Sequence, residues 1–591
     1  MDYDNLSCIL REDYMMKKMK WVVLPEKQCE VPVDLMNPEK CQVHGAFFMD
    51  LKTEETQGRM LIYIPELWNN NDPVLVVASP ESITEEEFML KHEICEFSEK
   101  QGVLIAVIRT EKEGHGEKTA RLLGEAYKKL QKREYFVAMQ DCFYAMGFEE
   151  GSQAVMKMMM VMGNDWSGAA FWGKITNEAE TWMKPDRDQG TQSEEMFISG
   201  KRGQLPVWLL QEKETEELQQ AKTYWMGENR AQDIPVYDSR KTEIYLPKHL
   251  SMVSSINDAQ IAQVRVTLGY SIEQLSESYL SYVWNYIGAA RRHRSYGKKV
   301  LRYYRDPANR ENGAEYHQIV VDGMKREWYE YIPKRLKNTE KRLPVVVVFH
   351  GRGGNGQSFF DITDMSLVAE ERGFIALFPT ADLYQIRPEG YRAVRLWNGN
   401  YNGKNIDSMP FVRAMLKNLG ERQNIDEERI YACGQSSGGY MTACCAFQAS
   451  DIFAAVAPWS GFTYPGSEIL KLPDNVENTI AGMPWYLLAG KKDPSFGAEV
   501  PNLLNPQCPL DYFLRYVADE NELNLEYDTY ECYPITYYIW RKKEVPMLTL
   551  GLVDDMPHAN YAEESRISYD DFLCRFKKDA SGERYYMGRK L

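Results

Sequence analysis

Metal-ligand spacings are missing from this sequence. No CxxC pair and no HExxH occurs, so no metal and no cofactor is expected. No apolar run approaches the roughly 18 residues needed to span a bilayer. Basic residues are outnumbered, 70 Lys+Arg against 86 Asp+Glu, for a net charge of −16. That excess disfavours nucleic acid and anionic membrane as partners. The first residues, Met1-Asp2-Tyr3-Asp4, are acidic and lack the basic-then-apolar run of a secretion signal. The 11 cysteines are odd in number and scattered, several within apolar runs such as Cys444-Cys445. Reduced core thiols and a cytoplasmic location are therefore expected. Histidine is scarce too, at eight in 591 residues.

What is present is globular: 44% hydrophobic residues with 12% aromatics, in a chain long enough for two to four domains. Strand-like runs at 59–65, 73–78, 102–108 and 142–146 alternate with helical spacing at 85–101 and 120–140. Alternation of this kind predicts a parallel sheet covered on both faces. The same order then returns. Residues 326–333 resemble 59–65, 344–349 resemble 73–78, and 373–377 resemble 102–106. Tyr144-Ala145-Met146-Gly147-Phe148-Glu149-Glu150-Gly151 aligns without gaps on Tyr431-Ala432-Cys433-Gly434-Gln435-Ser436-Ser437-Gly438, and the register holds until Trp172 meets Trp459. Six of the thirty positions from 144 to 173 are identical. Residues 206–210 likewise resemble 484–488. The shared order of segments points to two copies of one fold. The boundary is expected between about 296 and 315, where the chain is charged and turn-rich.

The second copy carries G-x-S-x-G at 434–438. That pattern fits a strained strand-to-helix bend that exposes the Ser436 hydroxyl. A serine needs a base, and in this kind of bend the chain order is serine, acid, histidine. Only one of the eight histidines, His558, follows Ser436, in a loop after the strand 546–551. The acid must lie between them and after a strand. Asp493, following 483–490, fits; Asp451 precedes a strand, and Asp554 and Asp555 crowd the histidine. Phe349-His350-Gly351-Arg352-Gly353-Gly354 follows the strand 345–348, the place of an oxyanion loop. Its donors are expected to be the amides of Ser437 and Arg352, with His350 shaping the loop. Gly351 to Gly356 also fits the dinucleotide fingerprint G-x-G-x-x-G. That reading needs an acid ending the next strand, and Asp382 lies beyond Pro379-Thr380-Ala381. Trp397, Trp459, Tyr464 and Phe496 flank the expected loops; the two tryptophans are taken as substrate-binding, with core packing as the alternative for each.

These residues resemble the polyhydroxybutyrate depolymerase and feruloyl/acetyl-xylan esterase group of α/β-hydrolases, over 315–580. The resemblance rests on Asp322-Gly323, on 343–356, on Gly373-Phe374-Ile375-Ala376-Leu377-Phe378-Pro379, on 405–413, on Arg429-Ile430-Tyr431 running into the bend, and on Pro557-His558-Ala559. It implies hydrolysis of a carboxylic ester through Ser436, His558 and Asp493. The partner is then a small-molecule or oligomeric ester, with neither nucleic acid nor membrane. The expected fold class is α/β, with two α/β-hydrolase-like domains, each a mostly parallel sheet flanked by helices. Residues 301–591 form the catalytic one. Residues 1–300 form a non-catalytic copy, with Glu149 in place of Ser436, Ser79-Pro80 in place of His350-Gly351, and no histidine after Gly269 until His293. Contact between chains of a homo-oligomer is the alternative role for that copy. Two other functions stay open: an oligopeptidase-like hydrolase, and a binding or scaffold protein.

Overall fold

The computed structural model describes residues 19–24, 36, 43–68, 72–111, 116–131, 138, 142–175, 191–193, 196–198, 204–248, 260–292, 295–296, 301–385, 393–398, 407–465, 481–494 and 500–591. Two ten-stranded sheets dominate. The first holds β1 (Gly45–Lys52), β2 (Gln57–Ile64), β3 (Val74–Ser79), β4 (Leu104–Arg109), β5 (Phe143–Phe148), β6 (Gly168–Trp172), β7 (Val207–Gln211), β8 (Val236–Tyr237), β9 (Glu243–Tyr245) and β10 (Val264–Leu268). The second holds β11 (Ala314–Val321), β12 (Met324–Tyr331), β13 (Leu343–Phe349), β14 (Ile375–Pro379), β15 (Ile425–Gln435), β16 (Ala455–Trp459), β17 (Trp485–Gly490), β18 (Asp528–Cys532), β19 (Ile535–Lys542) and β20 (Val545–Val553).

The two sheets share one topology. The first runs β1-β2-β4-β3-β5-β6-β7-β10-β9-β8 and the second β11-β12-β14-β13-β15-β16-β17-β20-β19-β18, so every strand n has its counterpart at n+10. In both, six central strands are parallel and two strands at each edge run antiparallel. Covering both faces buries each central strand along its length. In β13, Val345, Val347 and Phe349 enter one core, while Val346 and Val348 enter the core on the opposite face. In β3, Val74, Val76 and Ala78 divide from Leu75 and Val77 in the same way. This is the two-residue period of a pleated strand buried on both sides.

Strand order reverses beside β13, which has β14 on one side and β15 on the other. In an open α/β sheet the crevice for a ligand opens at the carboxyl ends of such a pair. Those ends lead directly into His350 and Ser436.

Two expected helices differ in extent. The 85–101 helix is two, Glu85–Lys91 and Ile94–Gln101, broken where Glu93 takes φ 56°. A capping box at Thr84 starts the first, and Gly102 at φ 62° ends the second. The 120–140 helix runs Glu117–Leu130, and 132–137 and 139–141 lie outside the described residues. Between the sheets the chain forms a hairpin, Ala290–Arg292 with Leu301–Tyr303. Arg292 donates to the carbonyls of Trp166, Gly163 and Gln204 in the first half. Arg302 forms a buried ion pair with Asp361 in the second, at 2.7 Å. The eight described cysteines are all free thiols.

Candidate active site

Ser436 sits between β15 and the helix Ser437–Gln448, at φ 56° and ψ −116°. Side-chain-bearing residues rarely adopt that conformation, and crowding forces it here. A Cβ on Gly434 would lie 2.4 Å from the Phe349 carbonyl oxygen, and one on Gly438 would lie 2.0 Å from it. Both glycines are therefore required for β13 to run beside the bend. The Ser436 N–H donates to the Trp459 carbonyl at 2.9 Å, which ties the bend to β16.

The structure brings three of the expected residues together. His558 Nε2 lies 2.8 Å from Ser436 Oγ. His558 Nδ1 lies 2.8 Å from Asp493 Oδ2. The Asp493 side chain is fully buried and the imidazole is 30% exposed, so one end of the relay is dry and the other meets solvent. Their loops interlock. Lys492 N–H donates to the Met556 carbonyl at 3.0 Å, and a Cβ on Gly490 would lie 2.0 Å from that oxygen. The acids passed over are engaged elsewhere. Asp451 pairs with Arg413 at 2.8 Å, Asp554 with Lys491 at 2.5 Å and Asp555 with Lys492 at 2.8 Å. A cleft of about 960 Å³ opens beside these loops, lined by Tyr296, Lys491, Lys492, Tyr533, Asp554 and Asp555 among others.

The loop after β13 reaches the serine. A Cβ on Gly351 would lie 3.6 Å from Ser436 Cβ and 2.6 Å from Gln435 Oε1. Arg352 follows with its side chain exposed. Ser437 opens the helix, where an N–H has no carbonyl four residues back within the helix to bond. His350 is fully enclosed. Its Nε2 accepts from the Ala381 N–H at 2.9 Å, which leaves Nδ1–H to donate to the Gly351 carbonyl at 2.7 Å. Burial pushes its pKa down to about 3, so the ring is neutral and shapes the loop.

The two tryptophans do not line a pocket. Trp397 is 1% exposed and Trp459 is 0% exposed. The Trp397 indole donates to the His350 carbonyl at 2.9 Å, and that of Trp459 to Ser568 Oγ at 2.8 Å. An aromatic residue buried with its N–H satisfied belongs to the core. Tyr464 is half-buried, with its ring 6.2 Å from that of Tyr516, and Phe496 lies outside the described residues. The competing dinucleotide pattern does have a helix opening at Gly356. Its acid, Asp382, is spent in a buried pair with Arg326 at 2.8 Å.

Sequence reasoning missed the strap at 395–398, whose single sign in the chain is the buried tryptophan. It also missed Glu564, which accepts from Asn560 Nδ2 at 2.5 Å and from the Tyr561 N–H at 2.9 Å and so fixes the turn after His558. Among the described residues, no group of three or more His, Cys, Asp or Glu is placed to hold a metal ion. No described helix is long and apolar enough to cross a membrane.

The first half repeats the bend with different contents. Glu149 takes φ 52° and ψ −119°, and its N–H donates to the Trp172 carbonyl at 2.7 Å. A Cβ on Gly147 would lie 2.4 Å from Ser152 Cα, and one on Gly151 would lie 2.2 Å from the Ala78 carbonyl oxygen. The Glu149 carboxylate lies over Gly173. Burial raises its pKa and Glu150 adds to the rise, while Lys174 opposes it.

Residues 329–470 match the family model described as Esterase PHB depolymerase. A feruloyl esterase B of Thermothelomyces thermophilus is 30% identical over 140 residues, which is 23% of this chain and 45% of the relative. A poly(3-hydroxyalkanoate) depolymerase C of Paucimonas lemoignei is 27% identical over 145 residues, 23% of this chain and 32% of the relative. The chain thus spans less than half the length of these relatives. Among solved structures, an acetyl xylan esterase from Aspergillus awamori aligns with 43% of this chain and 98% of its own, at 16% identity and a TM-score of 0.32.

Proposed function

We propose that this chain, kin in part of its second half to esterases, is a serine hydrolase of carboxylic esters working from Ser436. The observation that carries the reading is the continuous relay Ser436–His558–Asp493, with both hydrogen bonds at 2.8 Å. Asp493 accepts Nδ1–H and so holds the tautomer in which Nε2 is free to take the Ser436 proton. The hydroxyl oxygen then attacks the ester carbonyl. The resulting oxyanion is met by the amides of Ser437 and Arg352. His558 returns the proton to the departing alkoxide, leaving an acyl-enzyme on Ser436. Water enters, gives a proton to His558 and attacks the acyl carbon. The bond to Ser436 Oγ then breaks, His558 returns the proton to that oxygen, and the acid leaves.

Feruloyl, acetylated-sugar and hydroxyalkanoate esters are the substrates to set side by side, because the relatives carry those names. The first half is a non-catalytic copy. Glu149 offers no hydroxyl to carry an acyl group, and the strand matching β20 has no histidine following it before His293.

A fluorophosphonate probe tests the whole reading. The wild-type protein is expected to take up one label, on Ser436. Ser436→Ala should abolish labelling and His558→Ala should slow it. A folded wild-type protein that stays unlabelled and hydrolyses none of the esters overturns the proposal.

A further inference from the structure

An oxyanion hole built from two loops has a mechanical problem. Its donors, the Arg352 and Ser437 amides, sit after different strands with 84 residues of chain between them. Misplacing a positioned group by about 1 Å can cost about a hundredfold in rate. Something other than the local chain must fix the gap.

The segment 395–398 spans it. At one end Gly353 N–H, next to Arg352, donates to the Arg395 carbonyl at 2.8 Å. At the other, Trp397 N–H donates to Ser437 Oγ at 3.1 Å. Between them the Trp397 indole N–H donates to the His350 carbonyl at 2.9 Å. The ring closes the arrangement, edge-on to Phe349 with centroids 4.9 Å apart and tilted on His350 at 5.1 Å. The segment is itself anchored. Leu396 N–H donates to the Asp382 carbonyl at 3.1 Å, Arg395 Nη1 to the Ala381 carbonyl at 3.1 Å, and Asn398 N–H to Ser408 Oγ at 3.2 Å.

We propose that Trp397 is a positioning residue that braces the two oxyanion donors at a fixed separation, through one bond to the His350 carbonyl and one to the Ser437 hydroxyl. The inference rests on the ester-hydrolase reading. It replaces a pocket role for this tryptophan, since an enclosed ring touches no substrate.

Trp397→Phe deletes the indole donor and keeps most of the ring. Relative to the wild type, kcat should fall about ten- to a hundredfold, while KM stays within about twofold, because the ground-state ester does not use the hole fully. The affinity for a trifluoromethyl ketone, whose adduct with Ser436 places an oxyanion in the hole, should weaken by the factor lost from kcat/KM. Ser437→Ala keeps its amide and cuts the second bond, and should show the same pattern without disturbing the core. That variant decides the matter if Trp397→Phe fails to fold. An active wild type with both variants at wild-type kcat and ketone affinity overturns this inference alone. A loss confined to KM overturns it as well, since that is the mark of a substrate contact. An inert wild type brings down the hydrolase reading and this one with it.

Discussion

Gly438 shows how little tolerance the bend has. Its α-carbon faces the Phe349 carbonyl so closely that a methyl group would stand 2.0 Å from that oxygen. Gly438→Ala should cost about 1–3 kcal/mol of stability and lower the rate of phosphonate labelling, read by melting and by time course. The need for glycine at this spacing is why Ser436 was legible in the sequence. His558 was legible for a different reason: one histidine follows the serine, so order along the chain selected it. The roles of Trp397 and Trp459 were not legible. A tryptophan beside an expected loop is compatible with a pocket wall and with a core, and burial separates the two only once neighbours are placed.

Glu564 is a second residue with a measurable consequence. Burial raises its carboxyl from an ordinary 4.5 to about 8, against the opposing pull of Asn560 and the Tyr561 amide. Between those values the folded protein holds a proton that the unfolded chain releases. Stability from this group is therefore greatest below about pH 4.5 and declines as pH rises towards 8. Glu564→Gln carries no such proton. The wild-type-minus-variant difference in unfolding free energy should shrink steadily from pH 5 to pH 8 in denaturant titrations; a difference independent of pH would contradict the assignment.

At the scale of elements, the loop bearing His558 is held from three directions. Gly490 allows the Asp493 loop to press on Met556, Ser460 Oγ donates to the Ala559 carbonyl at 3.4 Å, and Tyr296 from the connecting segment bonds on both sides of Tyr561. The last contact pairs Tyr296 N–H with the Asn560 carbonyl at 2.7 Å and Ala562 N–H with the Tyr296 carbonyl at 3.0 Å. Gly490→Ala should drive Met556 away and pull the imidazole off its carboxylate. We expect kcat to fall at least about tenfold with the protein still folded, checked by steady-state kinetics beside circular dichroism. Strands were the legible elements, because runs such as Val345-Val346-Val347-Val348 admit few other readings. The helix break at Glu93 was not, since its residues keep helical spacing on either side of the left-handed turn. The connecting hairpin was missed because its arginines look like a solvated basic run and are instead buried, Arg292 donating to three backbone carbonyls and Arg291 to the Cys142 sulfur.

Across the whole molecule, the repeated strand order is the dominant fact. Local likeness between the halves is thin, six identities in thirty, yet every strand of one sheet has its equivalent in the other. Order of segments therefore carried more information than residue identity. The two bends make a matched pair for measurement. Glycine accepts positive φ without strain, so Glu149→Gly and Ser436→Gly should each raise unfolding free energy by about 1 kcal/mol. Only the second should abolish labelling. If Glu149→Gly destabilises the fold instead, the carboxylate over Gly173 has a structural task of its own.

The kink at Glu149 exists with no hydroxyl to present. Its geometry is thus inherent in seating a helix on the end of a crowded central strand, and reactivity is a tenant rather than the architect. A chain built this way casts the same corner twice, once around a carboxylate and once around a hydroxyl.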